Sequence, residues 1–437
     1  MLFRSHAMKV LLVYPRFSRH AQSNPELLEF VPMKEYLGSP SLAIAALVGA
    51  TPPGIEWEYR DDRLEDASAP TDADLVAITF FTAAARRGLE LADHFRAMGK
   101  KVVCGGVFPT MMPEVVERHA DAVVVGEGEP VWADILADAA EGALRPRYVA
   151  GPADPATLPP PRLAPYFAKE NNRFCPDDYP LQVSRGCPLA CQACALPATM
   201  GNRMRALPMD YILDVAEQII AGGRRACLTE DTSWLPGTAG SRRLLELLEH
   251  LQARERPLKI PYIGISMPMI LAAPPRWFEL ARAAGVEMFY LVGGFDPVTT
   301  RAFTGTDDRA LARAKAAIQK SWDNGIEPYT SFLLGNEDDD EGTVDRMLAF
   351  AAESRIQKAE FAVFTPYPGT PAWNRLVSED RILTRDWSRY NDANVVFRPN
   401  RMSPDALHAG YLRLWREFYA ARPEQALPSD AERTIQF

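Results

Sequence analysis

Three cysteines lie close together in a chain that otherwise contains few of them. Cys187, Cys191 and Cys194 form a CxxxCxxC spacing in the segment SRGCPLACQAC, and the 437-residue chain has only six cysteines. Thiolates are soft ligands that suit iron–sulfur clusters, zinc and copper(I). Structural zinc sites and electron-transfer clusters usually take four protein ligands. Three thiolates on a four-iron cubane leave one iron open, so this spacing favours a reactive cluster.

A fourth cysteine would instead close the site. Cys175 lies twelve residues before Cys187 and is the best candidate for that ligand, whereas Cys104 and Cys227 are more remote in the sequence. An open cluster with three ligands is the preferred interpretation, and a closed site that includes Cys175 is the alternative.

Arg185 and Gly186 directly precede the first of these cysteines. A glycine at this point lets the backbone turn tightly towards a cluster. An arginine beside a negatively charged cluster can stabilise it or hold a carboxylate. A surface salt bridge is the alternative role for Arg185.

The elements that must position these residues fall into two blocks of alternating strands and helices. In the first block, over residues 1–150, apolar runs predict strands at 8–14, 55–59, 75–80, 101–104 and 122–125. Spacings of three and four residues predict two helix faces, Leu91–Phe95–Met98, ahead of a capping Gly99, and Trp132–Ile135–Leu136–Ala139. This alternation predicts a parallel, doubly wound sheet, which binds ligands at the carboxyl ends of its strands near the switch point.

The second block covers residues 179–375. Its apolar runs predict six strands, at 180–184, 226–229, 262–266, 287–293, 328–335 and 360–365, and one helix with Ile212, Val215 and Ile219 on its buried face. Six such units fit a partial parallel barrel as well as an open sheet. The proline-rich segment 151–178 is interpreted as an extended connector, and residues 376–437 as a small helical C-terminal extension.

Composition limits the class of protein. The formal net charge is −9 and 47% of the residues are hydrophobic. This hydrophobic fraction excludes a chain that is disordered throughout, and the negative net charge argues against nucleic-acid binding. No apolar run reaches the ~18 residues of a membrane span. Because Pro15 and Arg16 follow the apolar start at once, that start is interpreted as a strand and not as a signal peptide. We therefore expect a cytoplasmic protein with reduced cysteines.

The CxxxCxxC loop after the first strand of the second block resembles the signature of the radical S-adenosylmethionine enzymes, over about residues 179–375. The resemblance implies a partial (β/α)6 barrel and a 4Fe-4S cluster held by the three cysteines. It also implies S-adenosylmethionine bound at the open iron and cleaved reductively, with an external electron donor such as flavodoxin or ferredoxin. The S-adenosylmethionine contacts that it implies are Ala193, Glu230, Asp231 and Ser266.

Two of these positions depart from the pattern of the family. Ala193 stands where the residue before the third cysteine is usually aromatic, and the segment from Glu230 through Asp231 replaces a motif of Gly-Gly-Glu or Asp-Asp-Asn character. The alternatives are helix-cap or loop chemistry for Glu230 and Asp231, and an ordinary strand-end hydroxyl for Ser266.

A Rossmann-like N-terminal block followed by such a barrel resembles the cobalamin-binding subclass of this family. Three segments carry the resemblance: ITFFTAAARRGLELADHFRAMG (78–99), VVCGGVFPTMMPE (102–114) and ADAVVVGEGEPVW (120–132). It implies cobalamin-binding roles for Thr79, Thr82, Gly105, Gly106, Gly126 and Gly128. The motif with a lower-ligand histidine has no match, and many members of the subclass lack it. The alternative is a domain kept for packing, with glycines that only form turns.

Together these resemblances imply a cobalamin-dependent radical enzyme that methylates an unactivated carbon of a small-molecule or lipid-like substrate. Radical cyclisation, oxidation or rearrangement is the first alternative. A non-catalytic iron–sulfur protein is the second. Methylthio transfer is disfavoured because it needs further N-terminal cysteines, and the first block has only Cys104. The C-terminal extension is expected either to close the barrel mouth or only to pack against it.

Overall fold

The computed structural model describes residues 8–29, 40–170, 176, 178–189, 191–230, 234–254, 258–292, 301, 303, 305 and 307–422. In this part of the chain, no helix is long and apolar enough to cross a membrane.

The N-terminal sheet has six parallel strands in the order β2-β1-β3-β4-β5-β6. Their bounds are Lys9–Tyr14 (β1), Glu56–Asp61 (β2), Leu75–Thr79 (β3), Lys101–Gly105 (β4), Ala122–Val125 (β5) and Arg147–Val149 (β6). The first five confirm the predicted strands, and β6 was not predicted. The strand order reverses between β1 and β3, so the carboxyl ends of these two strands form the switch point.

Helices cover this sheet at Leu42–Ala50, Ala85–Ala97 and Glu129–Ala140, with short turns at Val107–Met111 and Pro113–Val116. The predicted face of Leu91 and Phe95 is fully buried, but Met98 is 38% exposed. The prediction for Met98 was wrong because the helix ends at Ala97. The chain then turns away at Gly99, which has a φ of +76°. In the helix Glu129–Ala140, Trp132, Ile135 and Leu136 are buried, whereas Ala139 is half-buried.

The second sheet system follows chain order as a partial barrel. Its parallel strands are Asp178–Leu181 (β7), Arg225–Leu228 (β10), Tyr262–Gly264 (β11), Met288–Val292 (β12), Glu327–Leu334 (β13) and Lys358–Val363 (β14). β7 pairs with β10, and β11 to β14 form one ladder. A hydrogen bond from Ala226 N to Lys259 O (2.8 Å) and a bridge between Trp234 and Ile265 link the two parts. The predicted α/β fold class is confirmed.

One predicted strand is divided in the structure. The segment 180–184 was expected to be continuous, but β7 ends at Leu181 and a separate two-residue strand follows at Ser184–Arg185 (β8). β8 pairs antiparallel with Arg205–Ala206 (β9), and this hairpin encloses the cysteines. The remaining helices run over Leu196–Thr199, Met209–Ala221, Ala239–Gln252, Met267–Ala272, Pro275–Ala283, Asp308–Asp323, Thr343–Glu353, Pro371–Ser378 and Pro404–Ala420. Ile212, Val215 and Ile219 are buried, as predicted.

The proline-rich segment is packed and is not only an extended connector. It contains a helical turn at Ala164–Phe167, and Tyr166 is 1% exposed. The Tyr166 ring lies edge-on to Tyr59 of β2 and also contacts Tyr179 of β7. This segment therefore joins the two sheets through an aromatic contact.

The C-terminal extension covers the outer edge of β14. Val363 N donates to Asp392 O (2.7 Å), and Tyr419 Oη donates to Ala359 O (2.6 Å). An uncovered edge strand would present unpaired backbone groups. The extension supplies partners for that edge and packs its helix Pro404–Ala420 against β14 through Trp415 and Phe418.

Candidate functional site

The cysteine loop begins with a turn that only glycine fits. Gly186 has a φ of +81°, and a Cβ at this position would lie 2.3 Å from the carbonyl oxygen of Arg203. Cys187 is buried, and its N–H donates to Gly201 O (3.2 Å). Cys191 and Cys194 are half-buried. The tight turn expected before the first cysteine is present.

The donor set of this loop fits a cluster. Among the described residues, no three His, Cys, Asp or Glu side chains lie close enough together to hold a single metal ion. A cubane takes each thiolate on a different iron, so its ligands do not converge on one point. Cys187, Cys191 and Cys194 are the residues that would hold it. Cys175, the candidate fourth ligand, lies outside the described residues.

The other two described cysteines lie in strands. Cys104 is in β4, where burial raises the pKa of its thiol, so the neutral form is favoured. Cys227 is in β10 and accepts a hydrogen bond from Tyr262 Oη (2.7 Å).

Arg185 holds carboxylates inside the protein and is not a surface residue. Its Nη1 donates to Glu127 Oε2 (2.8 Å), its Nη2 to Glu129 Oε1 (2.7 Å), and its Nε to Gln182 Oε1 (3.0 Å). The Arg185 side chain is 5% exposed and that of Glu127 is fully buried. Burial raises the pKa of the neighbouring Tyr211 to about 12. The surface salt bridge considered for Arg185 is therefore wrong.

Glu230 follows β10 and fixes the backbone in front of the cysteine loop. Its carboxylate accepts hydrogen bonds from Val183 N (2.5 Å) and from Ser184 Oγ (2.6 Å) and Ser184 N. These contacts lie where the strand divides between β7 and β8. The second acidic candidate of this motif, Asp231, lies outside the described residues.

Ser266 follows β11 and caps the helix Met267–Ala272. Its Oγ accepts from Met269 N (3.2 Å) and donates to Trp234 O (2.5 Å). Ala193 is 3% exposed. The structure thus places Glu230 and Ser266 at the carboxyl ends of adjacent strands, with local partners for both side chains.

The residues predicted to bind cobalamin lie at the carboxyl ends of β3, β4 and β5. Two of the glycines are required by the backbone of the protein itself. A Cβ on Gly106 (φ +103°) would lie 2.7 Å from Phe80 O and 3.0 Å from Thr79 Oγ1, and one on Gly126 (φ +97°) would lie 1.9 Å from Ala150 O. Gly105 and Gly128 have no contact this close, and the side chains of Thr79 and Thr82 are buried.

A cavity of about 370 Å³ lies between the two sheet systems. Its lining comes from four places. They are the switch point (Tyr14, Phe17, Phe81, Ala83), the segment after β2 and the start of the first helix (Arg63, Pro40, Ser41, Leu42), the end of β10 (Cys227, Thr229), and the segments after β1 and β14 (Arg19, Tyr367, Tyr390, Asn391, Asp392). Its size is within the range of small-molecule sites.

Several of these lining residues were missed by sequence reasoning. Arg19 pairs loosely with Glu360 (3.5 Å) and Asp392 (3.7 Å), and Thr229 Oγ1 is buried without a partner among the described residues. Burial raises the pKa of Tyr367, and Asp392 and then Cys194 raise it further. The segment that contains Tyr367 leads into Ala372, whose N–H donates to Gln192 O of the cysteine loop (2.9 Å), so this part of the cavity lining adjoins that loop. The aromatic and basic run YPRFSR after β1 is the sequence signal that could have indicated it.

Comparison with known proteins gives a match for the N-terminal domain and similarities over most of the chain. Residues 47–136 match the family model of the B12 binding domain. The chain is 27% identical to a bacteriochlorophyllide d C-12(1)-methyltransferase from Chlorobaculum tepidum, over 83% of this chain and 78% of the relative. It is 22% identical to an anaerobic magnesium-protoporphyrin IX monomethyl ester cyclase from Rubrivivax gelatinosus, over 83% and 68%.

A solved structure has the same fold over nearly the whole chain. It is the radical S-adenosylmethionine methyltransferase TsrM from Kitasatospora setae, with cobalamin and a [4Fe-4S] cluster bound. The TM-score is 0.64 at 17% identity, over 98% of this chain and 90% of that one.

Proposed function

On the premise that this chain has the domain composition and fold of the cobalamin-binding radical S-adenosylmethionine enzymes, we propose that it methylates an unactivated carbon of a small-molecule or lipid-like substrate. In this proposal Cys187, Cys191 and Cys194 hold a 4Fe-4S cluster, and S-adenosylmethionine binds at the iron that they leave open. An external electron donor such as flavodoxin or ferredoxin supplies the electron.

The observation that carries this proposal is the cavity between the two sheet systems. Phe81 and Ala83 line it on either side of Thr82, a predicted cobalamin contact. Tyr367 lines it in the segment that leads to Ala372, whose N–H donates to Gln192 O between Cys191 and Cys194 (2.9 Å). Residues beside both predicted cofactor sites therefore line one cavity. Such an arrangement supports a reaction that needs both cofactors at one substrate, because reactants held together avoid the entropic cost of meeting.

In this proposal, the cofactors supply the reactive groups, and residues of the chain bind and position them. When bound, the cluster with S-adenosylmethionine supplies a radical that removes hydrogen from a C–H bond, and cobalamin supplies a methyl group. The three thiols bind the irons, and Glu230 fixes the backbone ahead of them through Val183 and Ser184. Aromatic side chains line part of the cavity, and their role in this proposal is to limit the access of water to a reactive intermediate.

Substrate class follows from the cavity and from the relatives. The cavity combines aromatic rings with Arg19 and Arg63, which suits an organic molecule with apolar and polar parts. The methyltransferase relative is named for a bacteriochlorophyllide, so bacteriochlorophyllide d is the first substrate to test. Similarity to the ester cyclase favours radical cyclisation as the second candidate.

The test begins with anaerobic reconstitution using iron, sulfide and hydroxocobalamin. After desalting, iron content, the absorption spectrum of bound corrin and the formation of 5′-deoxyadenosine from S-adenosylmethionine are measured. Replacing Cys187, Cys191 or Cys194 by alanine is expected to abolish the cluster and the cleavage. Cys104→Ala is the matched control and should keep both. Full iron content and cleavage in all three loop variants would contradict the assignment.

Two further measurements separate the alternatives. Methyl-labelled S-adenosylmethionine should place its label in the product of a methyltransferase, whereas a cyclase product would carry none. Cys175→Ala should keep the cluster and the cleavage. Loss of the cluster in that variant, with no cleavage by the unaltered chain, would support the closed, non-catalytic iron–sulfur protein.

A further inference from the structure

A buried group of four charged side chains connects the N-terminal domain with the cysteine loop. Glu127 and Glu129 lie at the turn after β5, in the sequence GEGE, and Arg185 and Arg205 lie in β8 and β9. We call this group the interdomain ion cluster. It has two positive and two negative charges, and the side chains are between 0% and 16% exposed.

Glu127 is the centre of the interdomain ion cluster. Its Oε2 accepts from Arg185 Nη1 (2.8 Å), and its Oε1 accepts from Arg205 Nη2 (2.5 Å) and from Ala153 N (3.2 Å). The other carboxylate, Glu129, accepts a hydrogen bond from Arg185 Nη2 (2.7 Å). A buried carboxylate needs such partners because desolvation of the charge is otherwise unfavourable.

The two arginines stand at opposite ends of the cysteine loop. Arg185 precedes Cys187 by two residues, and Arg205 lies in the strand that closes the hairpin after Cys194. Arg205 also donates to the carbonyl oxygens of Ala153 and Met200. One carboxylate of the N-terminal domain therefore holds both strands between which the three thiols are placed.

We propose that Glu127 is a positioning residue, which couples docking of the N-terminal domain to the geometry of the cysteine loop. The inference rests on the proposed function only in that the loop holds an iron–sulfur cluster. The contacts of Glu127 with Arg185 and Arg205 need no bound cofactor. Loss of the Glu127 charge removes the carboxylate that binds both Arg185 and Arg205 and leaves Glu129 with its contact to Arg185, so the hairpin of β8 and β9 should loosen first.

The test compares three variants of the full chain. Glu127→Gln keeps the shape of the side chain and removes its charge. Glu129→Gln is the matched control in the same turn, because it removes a carboxylate that holds Arg185 and leaves the contact of Glu127 with Arg205. Leu414→Ala is the control for general destabilisation. It truncates a fully buried side chain of the helix Pro404–Ala420 and so leaves a cavity in the core.

The first readout needs no cofactor. Limited proteolysis of the apo chain, with cleavage sites identified by mass spectrometry, reports opening of residues 186–204. Cleavage there should rise at least about tenfold in Glu127→Gln and by about twofold or less in the two controls. Equal cleavage in Glu127→Gln and in Leu414→Ala, when both melt at the same lowered temperature, would overturn the positioning role.

The second readout is the cluster. After reconstitution, the iron retained on desalting should fall by at least about half in Glu127→Gln and stay at the original level in Glu129→Gln. If the unaltered chain retains no iron while the proteolysis result holds, the proposed function fails and the positioning role stands. If Glu127→Gln does not fold, Arg205→Lys, which keeps the charge but loses the planar fork, should show the same pattern more weakly. No increase in cleavage for Arg205→Lys would then overturn the inference.

Discussion

Gly126→Ala tests whether a predicted cobalamin contact is required by the cofactor or by the chain itself. Gly126 has a φ of +97°, and a Cβ there would lie 1.9 Å from the carbonyl oxygen of Ala150. Because real Cβ atoms do not approach other heavy atoms within 3.0 Å, the backbone must move on one side or the other. We therefore expect a loss of stability in the protein without any cofactor.

The magnitude follows from what that movement breaks. A left-handed backbone costs an L-residue about 1–2 kcal/mol. Displacing Ala150 weakens the hydrogen bond from Ala150 N to Val125 O (2.8 Å), and displacing Gly126 weakens the one from its N–H to Thr110 Oγ1 (3.1 Å). Each net hydrogen bond contributes about 1 kcal/mol. The expected loss in the free energy of unfolding is therefore about 3–4 kcal/mol.

Gly99→Ala is the matched control, because Gly99 also has a positive φ (+76°) but no heavy atom within 4 Å of its would-be Cβ. It should lose only the backbone contribution of about 1–2 kcal/mol. The assay is urea unfolding of the apo protein, followed by circular dichroism. Equal losses in the two variants would refute the argument from close approach. An unchanged apo stability, with cobalamin retention lost, would assign Gly126 to the cofactor.

Three other changes separate local packing from cofactor contact or test a buried charge. In Gly105→Ala the new Cβ meets the Val124 side chain at ordinary distances of 3.5 and 3.9 Å, so apo stability should change by less than about 0.5 kcal/mol. Reduced cobalamin retention after desalting would then identify a cofactor contact. Ser266→Ala removes a helix cap and should cost about 1 kcal/mol in urea unfolding, and a fall in S-adenosylmethionine affinity by equilibrium dialysis would show a second role. Burial lowers the pKa of His20 well below its usual value, so the unfolded chain binds the proton more readily, and stability should fall as the pH drops below about 6.5. In His20→Asn, the difference in melting temperature between about pH 7 and about pH 5.5 should shrink, and an unchanged difference would contradict this assignment.

The strands were largely predictable because burial on both faces leaves continuous apolar runs in the sequence. β3 has five buried residues in succession, and it was predicted to within one residue. β6 has only three residues, of which the first and last are exposed, so it gives no such run. The division between β7 and β8 depends on Glu230, which lies more than forty residues further along the chain. A local pattern contains no information about such a contact.

The site was predictable where its chemistry is local and not where it depends on distant pairs. The three cysteines were singled out from their spacing alone, and their role as cluster ligands stays a prediction. Arg19 reaches Glu360 across 341 residues, and Arg185 reaches Glu127 across 58. The sequence analysis considered a carboxylate partner for Arg185, but only the fold shows that this partner comes from the other domain and that the pair is buried.

The GEGE turn shows why a motif should not be reduced to one role. Gly126 lets the chain pass Ala150 just before the linker. Glu127 binds Ala153 of the linker and both strands of the cysteine hairpin. Gly128 faces Leu47 with room to spare, and Glu129 begins the next helix while holding Arg185. Four consecutive residues thus contact the linker, a helix of their own domain and the hairpin of the barrel. Because these contacts cross the sequence boundary between the two blocks, the cysteine loop and the N-terminal sheet are expected to respond as one unit when either of them is perturbed.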